Sequence, residues 1–554
     1  MLKRKLTVFC LLFGCQLNMQ DQDQDGYVEP TDCDDYSSAA FPGAEEVWNF
    51  KDDNCDGVID EGTPGYFEDK DGDGYPTDEF GGTDCDDTNP DRNPGETEIC
   101  RDGVDNDCID ELAECALSED LALKDVIAVL EGVEENGGLG ASLADAGDVD
   151  GDGFDDLWVG APESADRAGA VWLMRGGDLG RGWVSGDTPG VLGDTGAGTL
   201  GAAMVGDRDW DGDGSPDLLV SAPVSSAVGE GAVYLFAGPV LDLQGPSDAS
   251  ASILSPAGVD GFGTALLAAD LDADGADDLV VGMASVEDDA GAVLIIPGPV
   301  PGALDLDPEE LGAAWMLPGV NAQGVSLAQG DLDADGFVDL VVGQPSAAAE
   351  TGERTGCVSV FSGGSDLDET WSLVGDAALD RAGTAVVSPG DINDDGYADL
   401  VVGAPLRDTT LQDAGWVYVV LGQQDPRAGL LSEASWAQIH GAEASGRLGE
   451  ALGAPGNLDG DGSGTPEIAI GAPRIGALDQ GLVAIFASPL DPGTYPVTQA
   501  EYSFRGTWDD GQVGAALLGG QDWSGDGYPD LMVGGPNVGV DAVGVVLNIM
   551  GAGQ

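Results

Sequence analysis

Residues 148–162 read DVDGDGFDDLWVGAP and carry two signals in immediate succession. The first half places acids at alternate positions and then a glycine, the pattern of a tight loop whose side chains converge. The second half is a short apolar run closed by Gly-Ala-Pro, the pattern of a buried strand ending in a turn. The pair returns as DWDGDGSPDLLVSAP from Asp209, DLDADGADDLVVGMA from Asp270, DLDADGFVDLVVGQP from Asp331, DINDDGYADLVVGAP from Asp391, NLDGDGSGTPEIAIGAP from Asn457 and DWSGDGYPDLMVGGP from Asp522. Successive starts lie 60 to 66 residues apart. That period, with several short apolar runs per unit, predicts one four-stranded blade per repeat and a closed ring of seven.

The rest of each unit fits a blade. A glycine upstream of every loop (Gly140, Gly201, Gly263, Gly324, Gly383, Gly449, Gly514) marks a strand entrance, and runs such as AGAVWLM, GAVYLF and GWVYVV follow downstream. The expected class is therefore all-β, a seven-bladed β-propeller over residues 121–554. These units resemble the FG-GAP repeat of integrin α-subunit propellers and bacterial surface proteins. "FG" is strict at Phe262-Gly263, and "GAP" begins at Gly160, Gly403 and Gly471. The last unit closes with VGVVLNIM, whereas DVIAVLEG from Asp125 precedes the first loop, so this early strand is expected to complete the last blade and remove exposed edges.

Loop chemistry follows from spacing. Side chains at positions 1, 3 and 5, a carbonyl at 7 and a carboxylate at 9 can surround one hard cation, with glycine at 6 allowing the turn. The candidate ligands are Asp148, Asp150, Asp152 and Asp156; Asp209, Asp211, Asp213 and Asp217; Asp270, Asp272, Asp274 and Asp278; Asp331, Asp333, Asp335 and Asp339; and Asp391, Asn393, Asp395 and Asp399. The seventh set, Asp522, Ser524, Asp526 and Asp530, has a hydroxyl in one place and should bind less tightly. The sixth is irregular: Asn457, Asp459 and Asp461 are followed by two inserted residues, which put Thr465 at position 9 and align Glu467 with the usual aspartate. It is the loop expected to be weak or empty. About seven calcium ions are expected in the propeller.

Ahead of it, residues 21–62 and 63–115 repeat a second pattern: DQDQDGY, TDCDD, PGAEE and DDNCDGVIDE, then DKDGDGY, TDCDD, NPGETE and DNDCIDE. Asp21, Asp23 and Asp25, and Asp69, Asp71 and Asp73, form acidic loops without the helices or the twelfth-position ligand of an EF-hand. Asp32, Asp34 and Asp35, with Asp84, Asp86 and Asp87, could complete them. The layouts resemble the MopE-type metal-binding repeat of bacterial surface proteins. So acidic a run suits calcium better than copper, and about two ions are expected. Six cysteines (Cys33, Cys55, Cys85, Cys100, Cys108, Cys115) share this irregular module, which is expected to be disulfide-rich. They permit 15 connectivities; the internal repeat favours Cys33 with Cys55 and Cys85 with Cys108, leaving Cys100 with Cys115. Cys357, within GCVSVF, is expected to be a buried small hydrophobe.

Residues 1–15 read as an export signal, with Lys3, Arg4 and Lys5 before an apolar stretch from Leu6 to Phe13. LLFGC resembles a bacterial lipobox, in which Cys15 would be lipidated; the alternative is a plain signal peptide. Residues 16–20 form a linker. The charge of −84, from 103 acids against 19 bases, speaks against nucleic acid and leaves a lipid anchor as the expected route to a membrane. There is no GxSxG, HExxH or phosphate-binding GxxxxGK, and the single histidine, His440, has no soft-metal partner in its run WAQIHG. Trp210 and Trp523, at position 2 of their loops, are expected in the core. The function expected is a non-catalytic, exported calcium-binding scaffold for an extracellular protein or glycan, as the integrin-like resemblance implies for adhesion. The alternatives are an extracellular polysaccharide- or lipid-degrading hydrolase or lyase, and a metal-sequestering surface protein.

Overall fold

The computed structural model describes residues 120–121, 128–132 and, short loop stretches aside, 137–551, with isolated positions between 37 and 92. The chain divides into two compact units, Met1–Cys115 and Ala116–Gln554. In the first, Ala40 is buried, turns are closed by Ala40 N–H to Ser37 C=O at 2.8 Å and Arg92 N–H to Asn89 C=O at 3.0 Å, and Cys55 is disulfide-bonded. The two acidic loops, the remaining cysteines of that unit, and Cys15 lie outside the described residues.

The second unit is a propeller of seven sheets. In blade 1 the strands Ser142–Gly147, Asp156–Ala161, Ala170–Met174 and Gly190–Leu192 pair antiparallel in chain order. Blades 2 to 6 repeat this meander from inner strands that begin at Met204, Asp260, Ser326, Val386 and Ala451. In blade 7 the strands Ala516–Gly519, Leu531–Gly535 and Val545–Ile549 lack a fourth strand from their own repeat. Ala128–Glu131 supplies it, pairing antiparallel with Val545–Ile549 through Val129 opposite Leu547 and Leu130 opposite Val546. The early strand thus closes the ring as the sequence predicts.

The four-strand expectation needs correction. Six of the seven sheets have a fifth, outermost strand that runs parallel to the fourth. In blades 1, 2, 4, 5 and 7 it comes from the segment between the third and fourth strands of the following blade, which doubles back, and in blade 6 from the chain just ahead of blade 7's fourth strand. Arg427–Leu430, leading to blade 5's fourth strand Ala437–His440, pairs with Glu369–Val374 of blade 4. Gly493–Pro496 covers blade 5 in the same way, and Asp120–Leu121 covers blade 6. Neighbouring blades are therefore hydrogen-bonded at the rim as well as packed face to face.

The core consists of seven apolar clusters, one per seam. The seam between blades 4 and 5 joins Leu332, Trp371 and Leu373 to Leu400, Tyr418 and Val420; the closing seam joins Leu130, Trp523 and Met532 to Leu157, Val159 and Trp172. The position-2 residue of each acidic loop (Val149, Trp210, Leu271, Leu332, Ile392, Leu458, Trp523) is buried in the seam toward the next blade. Trp210 and Trp523 are thus core residues. The described residues of the second unit hold one complete short helix, Leu431–Ala434, beside 3-10 turns.

The seams also explain the two recurrent glycines. The strand-entrance glycine of one blade presses its carbonyl against the glycine that ends the second strand of the blade before. A Cβ on Gly403 would stand 2.1 Å from the Gly449 carbonyl oxygen, and one on Gly471 would stand 2.1 Å from that of Gly514. Backbone cannot yield as a side chain can, so Gly403→Ala should cost about 3 kcal/mol, the upper end for overpacking. Urea denaturation would check this; an unchanged midpoint would mean that the seams are looser than drawn.

Candidate metal loops

Each loop joins the first and second strands of its blade, so seven copies share one face. In the first, Asp148 Oδ1 accepts the backbone N–H groups of Gly151 at 2.7 Å and Asp152 at 3.0 Å, and its Oδ2 accepts that of Gly153 at 3.0 Å. Asp150 accepts from Asp152 at 3.2 Å, and Asp152 from Phe154 at 2.9 Å. The first carboxylate thereby organises the whole turn, and one oxygen each of Asp148, Asp150 and Asp156 falls within 4.8 Å of the others. Loops 2 and 4 bring together Asp209, Asp211 and Asp217, and Asp331, Asp333 and Asp339; loop 3 brings together Asp270, Asp272 and Asp274. The carboxylates at position 5, Asp213 and Asp335, hold their own turns through Ser215 and Phe337 N–H. Arg175 Nε lies 3.2 Å from Asp150 Oδ2, an ion pair on the rim of loop 1.

Position 9 is different in kind. Asp156 is fully buried, its Oδ2 accepting from Val149 N–H and its Oδ1 from Gly176 N–H, both at 2.9 Å. The same clamp recurs in Asp217 with Trp210 and Gly238, Asp278 with Leu271 and Gly298, Asp339 with Leu332 and Gly363, and Asp399 with Ile392 and Gly422. This carboxylate ties the loop to the end of its blade's third strand. The next residue along then reaches the neighbouring loop: Gly364 N–H donates to Leu271 C=O at 2.7 Å and Gln423 N–H to Leu332 C=O at 2.9 Å. The loops are therefore part of the seams. The glycine after each third strand (RGG, FAGP, IPGP, FSGG, VLGQ) is a recurrent signal that was legible in the sequence and carries this contact.

The three variant loops keep the frame. In loop 5, Asp391 accepts from Asp395 and Gly396 N–H, and the Asn393 amide donates to Asp395 Oδ2 at 3.0 Å. In loop 7, Asp522 accepts from Gly525, Asp526 and Gly527 N–H, while Asp530 accepts both the N–H of Ser524 at 2.7 Å and its hydroxyl at 3.2 Å. That hydroxyl therefore competes with any ion for Asp530. In loop 6 Glu467 takes the place of the ninth aspartate: it is buried and accepts Leu458 N–H, its longer chain making up for the insertion. Thr465 instead donates to Ser488 C=O at 3.0 Å, and Asn457 Oδ1 is buried without a hydrogen bond. Asp459 and Asp461 lie outside the described residues.

Burial pushes the ninth carboxyl upward in every loop that has an aspartate there, to about 6 in Asp339 and Asp399 and about 7 in Asp530. Asp156, Asp217 and Asp278 move the same way for the same reason, against the pull of the two amides each accepts. A carboxyl with a raised folded-state pKa holds its proton more tightly folded than unfolded. The metal-free fold should therefore be most stable near pH 4 and lose stability as the pH climbs toward 7. A bound cation needs the ionised form and reverses the slope. We expect the thermal midpoint to fall from pH 4.5 to 7 in EGTA and to rise over the same range in calcium. Parallel profiles would show that no cation meets these carboxylates.

Two other residues are settled by their surroundings. Cys357 is half-buried rather than buried, because it opens the strand Cys357–Phe361 at the blade's end. Its thiol is pushed up to about 12 by burial and then by Glu369, so it is unreactive. His440 ends the strand Ala437–His440 with its ring 5.4 Å from that of Trp416.

A ring of seven blades, each with an acidic loop between its first and second strands, defines a β-propeller built on a recurrent acidic-loop motif. The FG-GAP repeat pattern matches residues 140–174, 323–361 and 383–420, and the Cu-binding MopE metal-binding motif matches residues 32–61 and 84–113. The chain is similar to integrin alpha-5 of Xenopus laevis, with 34% identity over 220 residues, covering 38% of this chain and 19% of the relative. Integrin alpha-V of Gallus gallus is also 34% identical over 219 residues, and integrin alpha-PS2 of Drosophila melanogaster 32% over 222; each match covers 38% of this chain and 20% and 15% of the relative. The matched stretch spans about a fifth or less of the length of these curated relatives. The protein is thus a seven-bladed propeller carrying FG-GAP repeats, preceded by MopE-type motifs and similar to integrin α-subunits.

Proposed function

We propose that the protein is an exported, calcium-loaded scaffold whose propeller binds an extracellular protein or glycan without catalysis. The observation that carries this reading is the recurrence of one acidic loop in every blade, with three carboxylates converging in four of them. Asp148, Asp209, Asp270, Asp331 and Asp391, with their partners at positions 3, 5 and 9, are the residues proposed to hold calcium; oxygen-only ligands and flexible geometry favour it over softer metals. Loops 6 and 7 are proposed to hold it weakly. Interaction as the role, rather than chemistry, follows from the integrin-α likeness and from carboxylates already committed to backbone amides. Export rests on residues 1–15, with Cys15 as the lipidation site. Among the described residues, no helix is long and apolar enough to cross a membrane, which says nothing of a β-barrel.

The test is isothermal titration with calcium beside glycan and protein arrays probed with and without it. Five or more moderate-affinity sites, with array binding that disappears in EGTA, support the scaffold. Many weak sites with no array binding would favour metal sequestration instead, and turnover of a polysaccharide or lipid by the purified chain would overturn the non-catalytic reading.

A further inference from the structure

Some acidic loops are hydrogen-bonded to their neighbours, and a single position in each blade decides which. Loop 5 reaches loop 4 through backbone alone. Its ninth residue, Asp399, holds Gly422 N–H at 2.8 Å, and the next residue, Gln423, donates its N–H to the carbonyl of Leu332, position 2 of loop 4, at 2.9 Å. Ala398, position 8 of loop 5, donates to the carbonyl of Asp331, position 1 of loop 4, at 3.0 Å. Loop 4 reaches loop 3 in the same way: Asp339 holds Gly363 N–H at 3.1 Å, and Gly364 N–H donates to Leu271 C=O at 2.7 Å. Loop 1 reaches loop 7 across the closing seam. There Asp156 holds Gly176 N–H at 2.9 Å, Gly177 N–H donates to Trp523 C=O at 2.9 Å, and the Trp523 indole N–H donates to Asp156 C=O at 3.2 Å.

Three other blades break this path. The residue that occupies the donor position is Pro239 in blade 2, Pro299 in blade 3 and Pro489 in blade 6. Proline has no N–H to give, so loop 2 cannot hold loop 1 by this bond, nor loop 3 hold loop 2, nor loop 6 hold loop 5. Where the path is intact, order passes along it. When loop 5 is ordered by its cation, Asp399 and Ala398 are fixed, and with them the donors to the first two carbonyls of loop 4. Asp331, whose carboxylate accepts Asp335 and Gly336 N–H and so shapes loop 4, is then held in place before that loop takes up its own ion. An ordering cost met at one loop is not met again at the next, which is positive coupling with no change of fold. We infer that loops 3, 4 and 5 load calcium as one cooperative block and loops 7 and 1 as a second, while loop 2 loads alone, the backbone N–H groups of Gly177, Gly364 and Gln423 acting as the positioning groups. The coupling presupposes that the loops hold calcium, and the two can be told apart.

Hydrogen–deuterium exchange of the full chain, read peptide by peptide across a calcium titration, gives each loop its own midpoint. Peptides from loops 3, 4 and 5 should gain protection together, and more steeply than those from loop 2. Asp395→Ala removes a ligand of loop 5 and leaves the Asp399 clamp. It should raise the calcium midpoint of loop 4 by about fivefold or more, the usual range for coupled sites, and leave loop 2 unmoved. Gln423→Pro removes the N–H and no ligand, and it should raise the loop 4 midpoint while loop 5 still fills. Gln423→Ala keeps the N–H and should leave the loop 4 midpoint where it is, which separates the backbone bond from the lost side chain. A shift shared by every loop, or a loop 4 midpoint that neither Asp395→Ala nor Gln423→Pro moves, would overturn the coupling and leave calcium binding intact. Calcium protection in no loop at all would end the calcium reading and the coupling with it.

Discussion

In millimolar calcium the propeller should melt about 15 °C above its midpoint in EGTA. The size follows from linkage: a ligand at about 100 times its dissociation constant stabilises the folded state by about 2.7 kcal/mol per site. Five loops with full ligand sets then contribute about 13 kcal/mol if the ring unfolds as one unit, and the seams argue that it does, because each loop's position-2 side chain is buried against the next blade. A unit extending from Ala116 to Gln554 has an unfolding entropy of about 0.9 kcal/mol per kelvin, which converts that energy to about 15 °C. Scanning calorimetry in the two buffers makes the comparison. Asp399→Ala supplies a local control: it should remove one calcium from the titration and also weaken the EGTA form, since it leaves the N–H groups of Ile392 and Gly422 without their shared acceptor. Equal midpoints in calcium and EGTA would end the claim that the loops hold ions.

The parts of this fold that could be read in the sequence are those where one residue type is compelled by geometry. An aspartate at position 1 that must accept three successive amides admits few substitutes, so the loops announced themselves and fixed the period. The closing strand was legible for a related reason: DVIAVLEG is an apolar run with no repeat of its own to belong to. The rim strands were not legible. Leu243–Gln244, Asp305–Leu306 and Gly182–Trp183 are two residues long, pair through backbone alone and have no alternation to betray them. The ninth aspartates were recognised by spacing, but their clamp to Gly176, Gly238 and their counterparts was missed, although the glycine that recurs after each third strand marks it. In loop 6 alignment placed Glu467 with the usual aspartate, and its bond to Leu458 N–H shows why a longer side chain is required there.

Removing the chain before residue 132 should cost the propeller its fold, whereas removing it before residue 116 should not. Ala116–Gln554 is a compact unit and keeps both early strands. A chain starting at Gly132 loses Ala128–Glu131, the fourth strand of blade 7, and with it Asp120–Leu121, the rim strand of blade 6. The loss falls at one seam but is not confined to it. Without Ala128–Glu131 the backbone of Val545–Ile549 becomes a free edge, and the rim strand Gly182–Trp183 of blade 1 loses the strand it pairs with. Leu139, Leu157 and Trp172 lose Leu130 from their cluster, which opens the contact that holds the first blade to the last. Each blade buries its faces against two neighbours, so a ring opened at one seam exposes apolar surface on both sides. We expect the 116–554 chain to match the propeller transition of the full protein in calorimetry, and the 132–554 chain to be aggregated or to melt without a cooperative transition. Leu130→Ala, a smaller insult to the same seam, should cost about 3 kcal/mol in urea denaturation, within the range for a leucine truncated in a core. A 132–554 chain that melts cooperatively at the full-length midpoint would show that the ring does not need its N-terminal strand, and the closure would then be an incidental pairing.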